Sequence, residues 1–453
     1  MNTDGETASP ASGTSSLSDT TVCVIGAGYV GLVTAAALAS GTRSVRLLDV
    51  SPERVSLISA GTSPIYEPGL EDLVASTVAG KTLSATSDPA IAMSGAGIVV
   101  IAVGTPPLPS GGADLGQVEL ALASALRHAG DGAVIVLKST VPPGTMTSLK
   151  LQVDRSSRVL ALVSCPEFLR EGLAIQDVLT PARVVVGGYD DSAADRVAEV
   201  FAAPGTPVLR TDPTSAEMIK YGSNAFLALK ISFINEIAYL CELTGAEVDQ
   251  VADGIGADPR IGRAFLNAGA GFGGSCFPKD VDALEDTAGK HGHFFWLLRA
   301  ATEVNLEQRR RIVNKVEAGL HGGLRGKRIA VLGIAFKPGT DDVRQAPALD
   351  VIDRLLDRGA TVRATDPIAL GNLAGQVRRA ELVADPYECV IDADAVIVMT
   401  EWPEYRELDW ARVSTLVSNR LIVDGRNCLD ATPLTKLGFT YLSVGRKGRT
   451  PQA

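Results

Sequence analysis

The chain has 453 residues, of which 46% are hydrophobic and 21% charged, and a net charge of −10. That length makes room for two or three domains and a substantial core in a globular protein, while the negative charge argues against nucleic acid or an anionic membrane as main partner and leaves a small anionic ligand open. Six scattered cysteines without a C-x-x-C pair and four histidines outside every motif argue against a disulfide framework or a metal site, and fit a reducing, cytoplasmic setting.

Residues 1–20 are rich in Ser, Thr, Gly, Ala and Asp, lack the apolar and basic parts of a signal peptide, and read as a disordered tail. No apolar run reaches membrane-spanning length. A strand is predicted over 21–25, then a glycine-rich turn, a helix over 31–40 and a strand over 44–50. Further apolar runs at 97–103, 133–138, 159–164 and 183–186 alternate with helical segments, which implies a parallel sheet covered on both faces. From 215 to 244 the pattern is one long helix with apolar residues at Met218, Phe226, Leu229, Phe233, Ile237 and Leu240. That helix and a second over 294–320 read as a helical spacer, with a subunit interface or an internal core as the use of their apolar surface. Strands return at 328–332, 361–364, 395–399 and 421–423, with a helix over 348–358. The expected architecture is α/β: two Rossmann-like doubly wound domains, 21–212 and 324–446, joined by a central long-helix domain, 213–323, with a tail at 447–453.

Gly26, Gly28 and Gly31 form G-x-G-x-x-G between the first strand and its helix, and Asp49 closes the next strand about 20 residues on. The glycines permit the tight turn and the approach of a pyrophosphate, and the helix start supplies donors to it. Asp49 would accept hydrogen bonds from a ribose diol and repel a 2′-phosphate, which favours NAD over NADP. Arg54 lies over the adenosine or is a solvated helix charge.

Several residues carry chemistry with two readings each. Thr140 orients a water or caps a turn. Glu167 and Glu171 follow a strand where α/β sites gather, and serve as a base for water or as a capping or ion-paired carboxylate. Lys220 and Asn224, one turn apart on the long helix, hold a hydroxyl or oxyanion or form an exposed polar face. Arg426 follows a strand and could grip a phosphate. The segment Gly271-Phe272-Gly273-Gly274-Ser275-Cys276-Phe277-Pro278-Lys279-Asp280 is the most specific. It puts a cysteine at a helix start, where the dipole and Lys279 favour a thiolate near neutral pH, with Asp280 on the same face. A buried structural cysteine is the alternative; the glycines and flanking charges favour a nucleophile.

Taken together, these blocks resemble the UDP-glucose/GDP-mannose dehydrogenase family, and within it the UDP-glucose branch. The resemblance runs from about Thr21 to Gly445 through Val24-Ile25-Gly26-Ala27-Gly28-Tyr29-Val30-Gly31, Val103-Gly104-Thr105-Pro106, Ser139-Thr140-Val141-Pro142-Pro143-Gly144-Thr145 and Pro166-Glu167-Phe168-Leu169-Arg170-Glu171-Gly172. It continues through Lys220-Tyr221 with Asn224, the cysteine segment, Phe336-Lys337-Pro338-Gly339-Thr340-Asp341 and Asp424-Gly425-Arg426-Asn427. It implies a four-electron oxidation of the C6 alcohol of UDP-glucose by NAD, with Cys276 carrying a thiohemiacetal and then a thioester. The same chemistry on GDP-mannose or a UDP-N-acetyl-hexosamine is the alternative. A two-electron hydroxyacid or phosphogluconate dehydrogenase leaves the cysteine motif unexplained.

By the same resemblance Cys276, Lys220, Asp280, Asn224, Thr140 and Glu167 are the catalytic group. Gly26, Gly28, Tyr29, Val30, Gly31, Asp49, Arg54, Thr105, Thr140, Glu171, Lys279 and Arg344 hold NAD. Glu167, Phe168, Leu169, Glu171, Lys220, Asn224, Phe265, Leu266, Asn267, Gly269, Gly273, Phe336, Lys337 and Arg426 hold the sugar nucleotide, and Arg260 reaches the neighbouring subunit's site, which implies a homodimer or higher homo-oligomer.

Overall fold

The computed structural model describes residues 20–373 and 379–451; the expected disordered tail, apart from Thr20, lies outside them. The first apolar runs form the strands β1 (Val22–Ile25), β2 (Val45–Leu48), β3 (Leu83–Thr86), β4 (Ile98–Ile101), β5 (Val134–Leu137), β6 (Ala161–Ser164), β7 (Val184–Gly188) and β8 (Val208–Thr211). Their order in one sheet is β3-β2-β1-β4-β5-β6-β7-β8. β1, β4 and β5 are buried along their whole length because helices cover both faces, which is why they read as continuous apolar runs rather than alternating ones. The chain order reverses between β1 and β4, and a crevice at the carboxyl ends of the strands is where such sheets hold ligands.

The expected all-parallel sheet departs from expectation at one edge. β6 and β7 are antiparallel, with Val163 opposite Gly188. The connection between them contains only one short helix, Ala174–Leu179, and keeps the chain at the end of the sheet where β6 finishes, so β7 starts there and runs back. β3 and β8 were not among the expected strands. β8 is an edge strand whose Val208 and Leu209 are exposed, so it lacks the apolar signature of its neighbours.

A second sheet is built from β9 (Arg328–Leu332), β10 (Thr361–Thr365), β11 (Glu381–Leu382), β12 (Ala395–Val398), β13 (Leu421–Asp424) and β14 (Thr440–Ser443), in the order β11-β10-β9-β12-β13-β14, all parallel. β11 and β14 are additions to the expected strands. Within the segment expected as a tail, Arg449 pairs with β14: Tyr441 and Arg449 exchange backbone hydrogen bonds of 2.8 and 2.9 Å; residues 452–453 lie outside the described residues.

Between the sheets, the helix Pro213–Thr244 starts where Asp212 accepts the Ser215 N–H at 2.9 Å with Pro213 at the first position. It stops at Gly245, which is left-handed at φ +83°. It packs against the helices Phe277–Lys290 and Trp296–Leu320. The large apolar residues that define its period do not all face that core. Ala225, Ala228, Asn235 and Ala238 are buried there, while Phe226 is 61% exposed, Phe233 54% and Leu240 55%. Small residues let the helices approach closely, and the bulky stripe is left facing outward. No helix among the described residues is long and apolar enough to cross a membrane.

Candidate active site

The helix Phe277–Lys290 begins at Cys276, and the glycines before it are sterically required. A Cβ on Gly273 would lie 2.4 Å from the Gln345 carbonyl oxygen. Gly274 has φ +84°, and a Cβ there would lie 2.8 Å from the Phe336 ring. Gly274 N–H donates to the Arg344 carbonyl at 2.9 Å. The cysteine is thereby held where loops of the second sheet meet the β6–β7 connection of the first.

These pieces enclose a cavity of about 520 Å³ lined by Glu167, Phe168, Leu169, Glu171, Lys220, Asn224, Phe265, Gly273, Cys276, Phe336 and Lys337 among others. Residues far apart in the chain thus share one cleft. Lys220 Nζ donates to Glu167 Oε1 at 2.7 Å, with both groups buried. Burial opposes the Lys220 charge, but the Glu167 and Asp280 carboxylates outweigh it and hold the ammonium above its ordinary range. Burial likewise opposes ionisation of Glu167, and Lys220 outweighs it, so this carboxyl sits below its ordinary range. The pair is a fixed cation beside a fixed anion.

Asp280, 1% exposed, lies behind the cleft: Asn224 Nδ2 donates to one oxygen at 2.6 Å and Lys279 Nζ to the other at 2.6 Å. Lys279 also reaches Thr105 Oγ1 at 3.5 Å, and Thr105 donates to the Thr140 carbonyl at 2.9 Å, which ties the Thr105 and Thr140 loops to the helix that begins at Cys276. Glu171 accepts from Ser275 Oγ at 3.2 Å and Thr340 Oγ1 at 3.0 Å. Burial, then the nearby Asp342, raise its carboxyl above the ordinary range against the pull of Lys337 and Arg344. Burial lowers Lys337.

Cys276 corrects one expectation. Its side chain opens to the cleft, yet the thiol lies deep among protein atoms. Burial, then the Glu167 charge, push it up to about 11, and Lys220 only partly offsets them. The helix start and Lys279 do not make a resting thiolate, because Lys279 is already paired with Asp280 and two carboxylates face the sulfur.

The dinucleotide turn has the shape its glycines suggest. Gly26 has φ +104°, a Cβ on Gly31 would lie 1.8 Å from the Gly26 carbonyl oxygen, and the space above Gly28 is open. Asp49, at the end of β2, accepts from Ala27 N at 2.6 Å and Ser51 N at 2.8 Å, so its carboxylate is pinned with lone pairs to spare for a diol. Arg54 is 4.0 Å from it and half exposed. These features fit a bound dinucleotide.

Other expected residues lie outside the cavity. Leu266 is buried, Asn267 accepts from Arg263 at 2.7 Å, and Gly269 N–H donates to Asn235 at 2.9 Å. Arg426 spends its donors on the carbonyls of Met399, Gly271 and Phe336, at 2.8, 3.1 and 3.0 Å, which fastens the glycine loop to the second sheet. Arg344 is ion-paired with Asp342 at 2.8 Å. Arg260 has an 87% exposed side chain paired with Asp258 and does not touch the cavity of its own chain.

Sequence reasoning passed over three groups beside the site. Arg183 stacks over the Phe168 ring at 3.9 Å, and Lys138 lies over Phe201 at 4.4 Å; both line the cavity. Position at the carboxyl end of β5 was an available signal for Lys138. Glu67, buried in the Tyr66-Glu67-Pro68-Gly69 turn, carries no local signal.

Comparison with known proteins agrees with this geometry. Residues 20–204, 214–307 and 330–431 match, in turn, the NAD binding, central and UDP binding domains of the UDP-glucose/GDP-mannose dehydrogenase family. The chain is 44% identical to the UDP-glucose 6-dehydrogenase TuaD of Bacillus subtilis, over 94% of this chain and 93% of that one. It is 43% identical to the UDP-glucose 6-dehydrogenase of Rhizobium meliloti, over 94% and 99%. The solved UDP-glucose dehydrogenase of Pyrobaculum islandicum superposes with a TM-score of 0.88 at 38% identity, covering 95% of this chain and 98% of that one.

Proposed function

The chain belongs to the UDP-glucose/GDP-mannose dehydrogenase family, and from that premise we propose that it oxidises UDP-glucose to UDP-glucuronate at the expense of two NAD. The observation that carries this is the convergence of Cys276, Lys220, Asn224 and Glu167 on one cavity at the meeting of two nucleotide-type sheets. A two-electron dehydrogenase has no use for a cysteine placed there.

The Gly26–Gly31 turn and Asp49 hold the coenzyme, with Tyr29, Val30, Arg54, Thr105, Thr140, Glu171, Lys279 and Arg344 around it. When bound, NAD supplies the hydride acceptor for both oxidations. Lys220 is a charged donor, so it stabilises negative charge on the C6 oxygen rather than acting as first base. Asp280 takes up the alcohol proton by way of a water, oriented by Asn224 and the Thr140 loop. With the first hydride also lost from C6 to the coenzyme, C6 is an aldehyde, and Cys276 then adds to it: the C=O π bond opens, the Sγ–C6 bond forms, and the thiol proton passes to the C6 oxygen beside Lys220. The thiohemiacetal keeps the half-oxidised sugar bound. Loss of the second hydride from C6, with the hydroxyl proton leaving by the same water route, gives a thioester. Glu167 takes a proton from water as it attacks; the C6–S bond breaks, and sulfur regains a proton. Phe168, Leu169, Phe265, Gly273, Phe336 and Lys337 line the seat of the UDP-sugar, while Leu266, Asn267, Gly269 and Arg426 support the loops around it.

The outward stripe of Phe226, Phe233 and Leu240 suits a second copy of the chain, and the exposed Arg260 suits reaching into that copy's cleft. A homodimer or higher homo-oligomer, working in the cytoplasm, completes the reading.

NADH formation is followed with UDP-glucose, UDP-galactose, UDP-N-acetylglucosamine and GDP-mannose. Two NADH per UDP-glucose is the expected result, with acid formation abolished in Cys276→Ser. One NADH per sugar at complete conversion overturns the four-electron reading, and turnover of GDP-mannose alone overturns the substrate.

A further inference from the structure

Three hydrogen-bond donors from two distant parts of the chain converge on Glu67. The Tyr29 hydroxyl, in the dinucleotide turn, donates to Oε2. Gly172 N–H donates to the same oxygen at 2.6 Å, and Ala174 N–H to Oε1 at 2.7 Å. The carboxylate is only 5% exposed. A buried carboxylate is tolerable when donors satisfy it, and such charge-assisted bonds are short and directional. Glu67 is therefore fixed by these groups and fixes them in turn.

The backbone it pins directly follows Glu171. Glu171 accepts from Ser275 Oγ, and Ser275 Oγ lies 3.6 Å from Cys276 Sγ. Gly172 is wedged from the other side: it has φ +80°, and a Cβ there would lie 3.1 Å from the Gly339 carbonyl oxygen. An unbroken set of contacts thus runs from the coenzyme turn through Tyr29 and Glu67 to the Glu171 turn, Ser275 and the nucleophile.

We infer that Glu67 is a positioning residue that couples the coenzyme seat to the sugar seat. It locks the wall the two ligands share, so that a dinucleotide on the Gly26–Gly31 turn steadies Glu171 and Ser275 against Cys276 and tightens the grip on the sugar nucleotide. This rests on the function proposed above, in which NAD occupies that turn and Cys276 engages the sugar. Linkage makes the effect reciprocal: the sugar nucleotide tightens the coenzyme by the same factor.

The test is calorimetric titration of UDP-glucose, without and with saturating NADH, into wild-type protein, Glu67→Gln and Tyr29→Phe, alongside kcat and Tm. In the wild type, NADH tightens UDP-glucose by about fivefold or more. In Glu67→Gln that factor falls toward one and kcat drops about tenfold, while the affinity without NADH stays within about twofold. Tyr29→Phe removes one of the three donors and loses part of the same factor. A Glu67→Gln protein that keeps the wild-type coupling, or that weakens UDP-glucose equally with and without NADH, overturns the inference; the second result marks a merely structural carboxylate. If Glu67→Gln does not fold, Tyr29→Phe decides, and unchanged coupling there overturns it. Wild-type protein that oxidises UDP-glucose but shows no effect of NADH on its affinity sinks the coupling alone. Wild-type protein that cannot oxidise it sinks the function.

Discussion

Alkylation of Cys276 tests the electrostatics of the site directly. With the thiol pushed up to about 11 from an ordinary 9.0, the thiolate fraction at pH 7 is about 10⁻⁴, against about 10⁻² for an ordinary thiol. Only the thiolate reacts with iodoacetamide. Modification of the resting enzyme at pH 7 is therefore about 100-fold slower than for an unperturbed cysteine, and its rate rises about tenfold per pH unit up to pH 10 without a plateau. Peptide mapping by mass spectrometry isolates this site from the buried Cys23, Cys165, Cys241 and Cys389. Two variants fix the cause. Glu167→Gln removes a charge that raises the thiol and leaves Lys220 unneutralised, so the titration moves down and alkylation at pH 7 quickens. Lys220→Met removes the opposing cation, so alkylation slows further. A plateau below pH 8 in the wild type, or slower reaction in Glu167→Gln, refutes the reasoning.

Three further outcomes follow from the same structure. Lys220→Met leaves Glu167 buried without its cation, at a cost of about 3–5 kcal/mol in chemical unfolding. The sign of the pH dependence then reverses. In the wild type the lowered Glu167 stabilises above the ordinary carboxyl range and loses that contribution in acid; in the variant burial raises the group, so stability is greatest in acid and falls as pH rises past the ordinary range. Asp49→Ser removes the acceptor at the end of β2, and steady-state kinetics should give about a tenfold or greater rise in the KM for NAD with weaker discrimination against NADP. Phe233→Glu on the outward stripe should shift sedimentation toward a smaller species without changing the Tm of the separated chain, as the proposed pairing of two copies requires; an unchanged sedimentation coefficient overturns the stripe's proposed role as an interface.

The sheets and the cysteine turn were readable because their signals are local. β1, β4, β5, β9, β12 and β13 are short apolar runs buried on both sides, and turn glycines with Asp49 or Cys276 at fixed offsets mark the loops between strands and helices. β8 escaped notice because an exposed edge strand needs no apolar pattern, and the direction of β7 depends on where the chain leaves β6 rather than on the residues of β7. The long helix was placed by its period, but its bulky stripe faces outward: alanines allow the closer helix contact inside.

The amino-acid order alone determined which groups exist and what each segment folds into, since backbone preference and burial pattern act over a few residues. It also carried the family, because many short blocks agree. Only the tertiary structure decided the charge state of those groups. Cys276 looked like a thiolate from its helix start, but the electrostatics of a sulfur in a cleft depend on what surrounds it in space. Glu167, more than a hundred positions away in the chain, sits with Lys220 beside that sulfur, and Glu67 becomes a bridge only when Tyr29 and Gly172 fold against it. Charge and burial act through distance in space, which the linear order does not record.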